Sequence, residues 1–210
     1  NLYKYGLRCV ENSLSLLNPN QNLAKIPASR LRWYSLAEYL YADTLYLMIN
    51  EKTQEKESQE TLLFYSLKHS LEAANKGAQA GLNILVLDAA KQFWNICTKL
   101  QESAANRKRL IYPIFSLIGY LKDCKESSEP DLILLLIKLI SLAALENQDY
   151  QNGERAVDMA FELVPKNLQK TLWENKMIFM SKQGKNELQA ISNMKEVEAS
   201  LQAWVNGNSR

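Results

Sequence analysis

The chain has 210 residues, of which 47% are hydrophobic and 23% are charged, and its formal net charge is +2. This composition is that of a globular protein with enough apolar mass for a continuous core, so we expect it to fold without cofactors, metals or disulfides. A balanced charge does not supply the dense basic face that nucleic acids or anionic membranes require. We therefore expect neither nucleic acid nor a membrane as a partner.

The cysteines and the most apolar run indicate a cytoplasmic helical protein. Three cysteines lie far apart and form no CxxC pair, which favours a reducing compartment; we expect Cys9, Cys97 and Cys124 to be small buried hydrophobic residues. The most apolar run, Leu132 to Leu145, is shorter than the ~20 residues of a membrane span and is interrupted by Lys138. It predicts a buried helix. No signal-peptide pattern opens the sequence.

The first predicted helix pair spans residues 29–81. Apolar residues recur there at intervals of three and four positions, which is helical spacing, and strand-type alternation is absent. The expected core face of the first helix consists of Trp33, Leu36, Ala37, Leu40, Thr44, Leu47 and Met48. The charged run from Glu51 to Glu57 predicts a solvated loop after this helix.

The second helix of this pair is predicted to end in a glycine cap at Gly81. Its expected core face consists of Phe64, Leu67, Leu71, Ala74 and Ala78. His69, the only histidine, lies on the flank, where we expect a surface side chain hydrogen-bonded to Glu72 or to water. A single histidine cannot build a histidine-based metal cluster, and most histidine-assisted nucleophile arrangements are not expected either.

Aromatic residues crowd both sides of the first helix. They are Trp33, Tyr34, Tyr39, Tyr41 and Tyr46. At helical spacing such rings favour packing over stacking on a ligand. We expect most of them in core and inter-repeat contacts, with one or two at an interface.

The second predicted pair spans residues 82–124. Its first helix is expected at about 82–100. The residues expected on its core side are Val86, Ala90, Phe93, Cys97 and Leu100. Those expected on its solvent-exposed, or wet, side are Asp88, Lys91, Gln92, Asn95 and Lys99. The partner helix begins after Ser103 and carries Ile111, Ile114, Phe115, Ile118 and Leu121. Pro113 lacks a backbone donor and should kink this helix or mark its true start.

The third pair, residues 130–165, matches a tetratricopeptide unit. Pro130 suits the first position of a helix. With Leu134 as the first position of a 34-residue repeat, the repeat's preferred residue sizes fall on Ile137, Ile140, Ser141, Ala144, Gly153, Val157, Ala160 and Pro165. The small residues let two antiparallel helices approach, Asp149-Tyr150 makes the turn, and Pro165 ends the second helix.

A fourth pair is predicted at residues 168–205. Trp173, Met177 and Met180 lie on its first helix, a turn follows at 183–186, and a last helix reaches about Trp204. Four successive pairs at uneven spacing predict an all-α fold, an irregular tetratricopeptide-like array or α-solenoid of antiparallel helix pairs. We expect residues 1–210 to form one continuous segment of a longer protein.

No catalytic pattern is present, since the sequence has no GxGxxG and no GxxxxGK[ST] motif. We therefore expect no enzyme activity, no cofactor and no small-molecule substrate. The candidate protein-binding residues are Asn95, Arg107, Lys108, Arg109 and Lys138.

These candidates rest on different observations. Asn95 lies on a wet helix face. The three basic residues from Arg107 to Arg109 lie near a helix N-terminus, where their positive charge is unfavourable because it opposes the helix dipole. Carboxylates of a partner protein would offset this unfavourable charge. A solvated basic turn is the simpler interpretation. Lys138 occupies position 5 of a first helix, where some tetratricopeptide modules capture a C-terminal carboxylate of a chaperone tail. The asparagine those modules use at position 9 is replaced by Leu142.

The stretch from Leu71 to Asn95 has an Ala-rich helix ending in Gly81, then Asp88-Ala89-Ala90 and Phe93-Trp94-Asn95. It resembles the large tetratricopeptide proteins of the ciliary axoneme, the cilia- and flagella-associated proteins 46 and 54. The resemblance implies a structural subunit of a central-apparatus projection that assembles with other axonemal subunits, calmodulin-associated subunits and tubulin.

Two other functions stay open at this stage. One is a cytosolic adaptor that binds a peptide of a partner or chaperone in the concave groove of the repeats. The other is an enzyme whose catalytic domain lies elsewhere in the full protein. Lys138 and the aromatic first helix favour the adaptor over the enzyme.

Overall fold

The structure, a computed structural model, describes residues 2–17, 26–184, 194–196 and 198–199. Over these residues the protein is all-α and has no strand, which confirms the predicted class. The helices are α1 (Leu2–Leu17), α2 (Ala28–Leu47), α3 (Lys56–Gln79), α4 (Asn83–Leu100), α5 (Ala104–Asp123), α6 (Pro130–Glu146), α7 (Tyr150–Ala160), a 3-10 helix (Lys166–Leu168) and α8 (Lys170–Lys182). Most of the predicted last helix, to Trp204, lies outside the described residues.

The chain divides into two compact units. Unit 1 comprises Asn1–Asn106 with Asp123–Lys125 and contains α1 to α4. Unit 2 comprises Arg107–Lys122 with Glu126–Arg210 and contains most of α5 together with α6, α7 and α8.

In unit 1, α2 packs against α1, α3 and α4, and α3 packs against α4. The predicted core face of α2 is wrong. Its buried residues are Leu31, Ser35, Ala37, Glu38, Ala42 and Leu45. Of the predicted set only Ala37 is buried, and Trp33, Leu40 and Leu47 are exposed.

Small residues explain this choice of face, because they let α2, α3 and α4 approach closely. The hydroxyl of Ser35 donates to the Ala73 carbonyl of α3 at 2.8 Å. Ser66 of α3 donates in turn to the Ala42 carbonyl of α2 at 2.7 Å, and Ser70 donates to the Ala89 carbonyl of α4 at 2.9 Å. Large rings could not fit at contacts of this kind.

The aromatic residues of α2 accordingly lie outside the core. Trp33 is 61% exposed, and Tyr34, Tyr39, Tyr41 and Tyr46 are half-buried. The expectation of core packing is therefore wrong for these rings. Tyr41 does pack between helices, with its ring 4.1 Å from that of His69 on α3.

The predicted cap at the end of α3 is confirmed. Gly81 has φ of 68°, a left-handed conformation that glycine adopts without strain. Its amide donates to the Ala78 carbonyl at 2.9 Å, and the Leu82 amide donates to the Gly77 carbonyl at 3.0 Å. This is the Schellman arrangement. On α3 itself, Leu67 and Ala74 are buried as predicted, whereas the other three predicted core residues, Phe64, Leu71 and Ala78, are half-buried.

α4 follows the prediction with one exception. All five predicted core residues are buried, and four of the five predicted wet residues are exposed. Gln92 is only 8% exposed. Its side chain is long enough to reach α2, where its amide nitrogen donates to the Tyr39 carbonyl at 3.2 Å.

α5 begins at Ala104, and Pro113 lies inside it. Pro113 therefore does not mark the start of this helix. The predicted core residues of α5 are buried except Phe115, which is half-buried.

In unit 2, α6, α7 and α8 pack against one another. Pro130 is the first residue of α6, as predicted. The small residues Ser141, Gly153 and Ala160 are all buried, as the repeat register predicts. A Cβ added at Gly153 would lie 2.4 Å from Cζ of Phe179 in α8 and 3.0 Å from Cβ of Ala144 in α6. Glycine is therefore required where the three helices meet.

Two local predictions in unit 2 need correction. α7 already ends at Ala160, so Pro165 does not terminate it, and the buried Leu163 and Val164 follow in a turn. Tyr150 is the first residue of α7, and the turn before it uses Gln148 with φ of 58°. Trp173, Met177 and Met180 lie on α8 as predicted, and the buried residues of this helix are Leu172 and Phe179.

The cysteines differ in burial. Cys97 is buried, as predicted, and burial raises the pKa of its thiol. Cys9 is exposed and Cys124 is half-buried, so the prediction is wrong for these two.

Candidate protein-binding surfaces

The five candidate residues fall into both units. Asn95 lies on α4 in unit 1, and the other four lie on α5 and α6 in unit 2. Each unit therefore contains its own candidate residues.

Arg107 has its counter-charge inside the chain. Its Nε and Nη2 atoms donate to Oε2 and Oε1 of Glu146 at 2.8 and 2.6 Å. A bidentate interaction of this kind fixes the relative orientation of the guanidinium and the carboxylate. The hydrogen bond raises the pKa of Arg107 and lowers the pKa of Glu146. Since Glu146 is the last residue of α6, the pair joins the start of α5 to the end of α6. The prediction of a solvated turn is therefore wrong for Arg107.

Lys108 and Arg109 are exposed on α5. Lys108 lines an open groove of about 410 Å³ with Ile111, Tyr112 and residues 147–149 of the α6–α7 turn. Tyr112 is exposed as well. The groove is open and is lined by both polar and apolar residues, so the exposed face of α6 is the stronger candidate for a protein-binding surface.

Lys138 lies in the middle of a narrow exposed stripe on α6. Leu135 is 38% exposed and Leu142 is 48% exposed, and they lie one turn to either side of Lys138. We call Leu135, Lys138 and Leu142 the α6 stripe. Most of the remainder of α6 is buried, because nine of the residues between Leu132 and Ala144, inclusive, lie in the core. At ~1.5 Å rise per residue, the two leucines are about 10.5 Å apart along the helix.

α8, which packs against both α6 and α7, has an exposed face of its own. Glu174 and Ile178 are exposed one turn apart. α6 and α8 thus expose three large aliphatic side chains, Leu135, Leu142 and Ile178. Single exposed leucines are common on proteins, so the α6 stripe is a candidate surface only because two leucines flank a lysine on a mostly buried helix.

Asn95 lies at a cleft between α2 and α4, which we call the α2–α4 cleft. Its volume is about 210 Å³. It is lined by Tyr39, Asp43, Tyr46, Asp88, Lys91, Gln92, Asn95 and Ile96. Sequence reasoning identified Asn95 from the wet face of α4 but missed the buried Gln92 beside it.

His69 contacts Glu38, and the prediction of Glu72 is wrong. Its Nδ1 atom lies 2.5 Å from Oε2 of Glu38, whose side chain is 7% exposed. The ring of His69 lies 4.1 Å from that of Tyr41, and the Tyr41 hydroxyl donates to Glu11 at 3.1 Å. Burial, followed by this hydrogen bond, raises the pKa of Tyr41. The network links α1, α2 and α3 and compensates the burial of a carboxylate.

Within the described part of the chain, no group of three or more histidine, cysteine, aspartate or glutamate residues could hold a metal ion. In the same part, every helix is too short or too polar to cross a membrane. No protein-family model matches the chain, and no curated protein matches it at a significant level. Function is therefore inferred from the residues and their geometry.

Proposed function

We propose that this chain is a scaffold segment without enzymatic activity, which holds partner proteins through exposed faces of its helices. In this proposal the helix pairs form an irregular tetratricopeptide-type array. The close contact at Gly153 and the burial of Ala160 support the repeat register of unit 2, because the repeat places small residues at those positions.

The observation that carries the proposal is the α6 stripe. Lys138 presents a cation between two exposed leucines, on a helix that is otherwise mostly buried. A complementary partner would place a carboxylate opposite Lys138 and an apolar side chain opposite each leucine. An amphipathic helix with apolar residues seven positions apart spans the same distance of about 10.5 Å.

The cellular setting we propose is the ciliary or flagellar axoneme, in a projection of the central apparatus. Its support is the resemblance of residues 71–95 to axonemal tetratricopeptide proteins. Partners would then be other axonemal subunits and tubulin. A structural subunit needs surfaces rather than a catalytic centre, and the exposed helix faces of both units meet that requirement.

A cytosolic adaptor is the second candidate function, and Lys138 is the observation that favours it. An exposed lysine at position 5 of a first helix is suited to a peptide carboxylate. Leu142 at position 9 does not supply the second polar contact, so such an adaptor would depend on apolar side chains of its peptide.

Proximity labelling from the tagged full-length protein in a ciliated cell separates the two functions. The scaffold proposal expects labelled central-apparatus proteins and tubulin, with the protein retained in detergent-extracted axonemes. Labelling of chaperones or soluble clients, together with release of the protein by detergent, would favour the cytosolic adaptor over the axonemal scaffold.

A further inference from the structure

α2 exposes an apolar stripe that its neighbours in unit 1 leave uncovered. Leu40 is 52% exposed and Leu47 is 48% exposed. Asp43 lies between them and is half-buried. We call Leu40, Asp43 and Leu47 the α2 stripe. Trp33, which lies seven residues before Leu40, is 61% exposed and extends the apolar edge of this stripe by about two helical turns.

The α2 stripe has the same spacing as the α6 stripe. In each stripe a charged residue lies three positions after one leucine and four positions before the next. The two leucines are therefore about 10.5 Å apart along the helix in both stripes. Four of the six exposed leucines in the described part of the chain lie in these two stripes. The exposed leucines are thus concentrated on two matching faces, whereas single surface leucines are usually scattered.

The charges of the two stripes are opposite. Lys138 is exposed, and Asp43 lies at the edge of the α2–α4 cleft. Among the described residues, neither of these two side chains forms a hydrogen bond or an ion pair. Two α2 stripes would bring carboxylates together and two α6 stripes would bring ammonium groups together, which is repulsive. Charge therefore favours the contact of an α2 stripe with an α6 stripe over either contact of like stripes.

Both directions of helix pairing bring the matching groups together. If α2 and α6 run in the same direction, each leucine lies opposite a leucine, and Asp43 lies opposite Lys138. If they run in opposite directions, the leucine pairs remain and the two charged residues are offset by one position, or ~1.5 Å. The flexible side chain of lysine spans that offset.

We propose that the α6 stripe of one copy of this chain binds the α2 stripe of a second copy. This inference rests on the proposed function, because it names a partner for the α6 stripe. The leucines form the apolar part of the contact, and the Lys138 ammonium pairs with the Asp43 carboxylate. The two stripes are different surfaces, so the contact is heterologous. Each pair of copies keeps one free α2 stripe and one free α6 stripe, and further copies add head to tail into a ring or a filament.

The test is sedimentation velocity of the 210-residue chain over a wide range of concentrations. Because the contact is small, we expect reversible association that appears only at high concentration. Leu40→Gln/Leu47→Gln removes the apolar part of the α2 stripe, and Leu135→Gln/Leu142→Gln removes that of the α6 stripe. Each variant alone should sediment as a monomer. Their equimolar mixture should form a dimer that grows no further, because each variant retains one intact stripe.

Charge variants test the pairing of Asp43 with Lys138. Asp43→Lys and Lys138→Asp should each weaken self-association about tenfold, since each places like charges opposite one another. The two changes combined in one chain restore an opposite pair and should recover the wild-type affinity to within about twofold.

Asp123→Lys and Lys166→Asp are the matched controls. They make the same charge changes at exposed positions outside both stripes and should leave self-association unchanged. Circular dichroism checks that every variant is folded. Because Lys138 and the four leucines are exposed, their variants keep the test valid if Asp43→Lys unfolds.

Several results would overturn the inference. A wild-type chain that stays monomeric at every concentration would exclude a second copy as the partner. Self-association of either leucine variant alone would show that like stripes pair or that another surface is used. Failure of the combined charge variant to recover, or equal weakening by the control variants, would show that overall charge governs the association.

Failure of this inference is distinguishable from failure of the proposed function. If the wild-type chain is monomeric but Lys138→Asp removes labelled neighbours of the tagged full-length protein, the α6 stripe binds a different protein. The inference then fails and the scaffold proposal stands. If Lys138→Asp changes neither self-association nor the labelled neighbours, both fail.

Discussion

The two units bring their helices into close contact by different chemistry. In unit 1, buried serines of α2 and α3 donate to carbonyls of the facing helix, and a buried glutamate contacts a histidine. In unit 2, Gly153 and Ala144 make room for the ring of Phe179. Small residues are needed in both cases, but polar ones add stability to a core only where the opposite helix offers a partner. The following changes test that difference, from the largest expected effect to the smallest.

Loss of His69 should be the most damaging change to the polar contacts of unit 1. In His69→Ala, the Glu38 carboxylate stays buried without its partner, and leaving one member of a buried pair alone costs about 3 kcal/mol. Urea denaturation of the two chains measures this cost. In a Glu38→Gln background the same change should cost much less, because no buried charge remains. Equal costs in both backgrounds would contradict the role assigned to His69.

Gly153→Ala tests the apolar contact of unit 2. The new Cβ would lie 2.4 Å from Cζ of Phe179, and overpacking of this kind costs about 2 kcal/mol. Gly119→Ala is the matched control on α5, where nothing lies within 4 Å of an added Cβ. It should stabilise the chain by about 0.5 to 1 kcal/mol, because alanine is the better helix former. Thermal melts of both variants check that the two changes in stability have opposite signs. A Gly153→Ala variant as stable as the wild-type chain would contradict the close contact between Gly153 and Phe179.

Two buried serines offer a direct comparison between the units. Ser66 donates to the Ala42 carbonyl at 2.7 Å, so Ser66→Ala should lose about 1 kcal/mol. The buried Ser141 hydroxyl of α6 has no hydrogen-bond partner among the described residues. Ser141→Ala should therefore be neutral or stabilising. If urea denaturation gave the same loss for both variants, hydrogen bonding would not explain the difference between the units.

The smallest effect concerns pH and the Arg107–Glu146 pair. The hydrogen bond from Arg107 lowers the pKa of Glu146, so the unfolded chain binds this proton more readily than the folded chain. The stabilisation is present above the unfolded value of ~4.3 and is lost as pH falls through the folded value. The Tm difference between the wild-type chain and Glu146→Gln should therefore shrink from about pH 6 to about pH 2. A difference that stays constant would contradict this origin.

The sequence predicted most of what the apolar pattern determines. α6 was predictable because Pro130 marks its start and a nearly continuous apolar run follows. The core face of α4 was predictable because its apolar residues recur at helical spacing, with Val86 and Phe93 in register. On α2, aromatic and aliphatic residues occur on both sides, so periodicity could not choose between faces. The choice depends on Ser35 and Ala42 meeting α3, which is tertiary information.

The candidate surfaces were predictable only in part. Lys138 and Asn95 are exposed, as their helix positions suggest. The pairing of Arg107 with Glu146 joins residues 39 positions apart and has no local signal. Gln92 lies at the edge of the polar face of α4, where a long side chain can turn inward. Its burial follows from the position of α2, which no sequence pattern specifies.

The central claim is that the α6 stripe holds a partner protein. Its most direct test is quantitative proximity labelling with the tagged full-length protein, comparing Lys138→Glu with Lys166→Glu. Both lysines are exposed in unit 2, and both variants change the charge equally. The account predicts that Lys138→Glu loses a defined subset of labelled neighbours while Lys166→Glu keeps them all. Identical neighbours for both variants and the wild-type protein would contradict it.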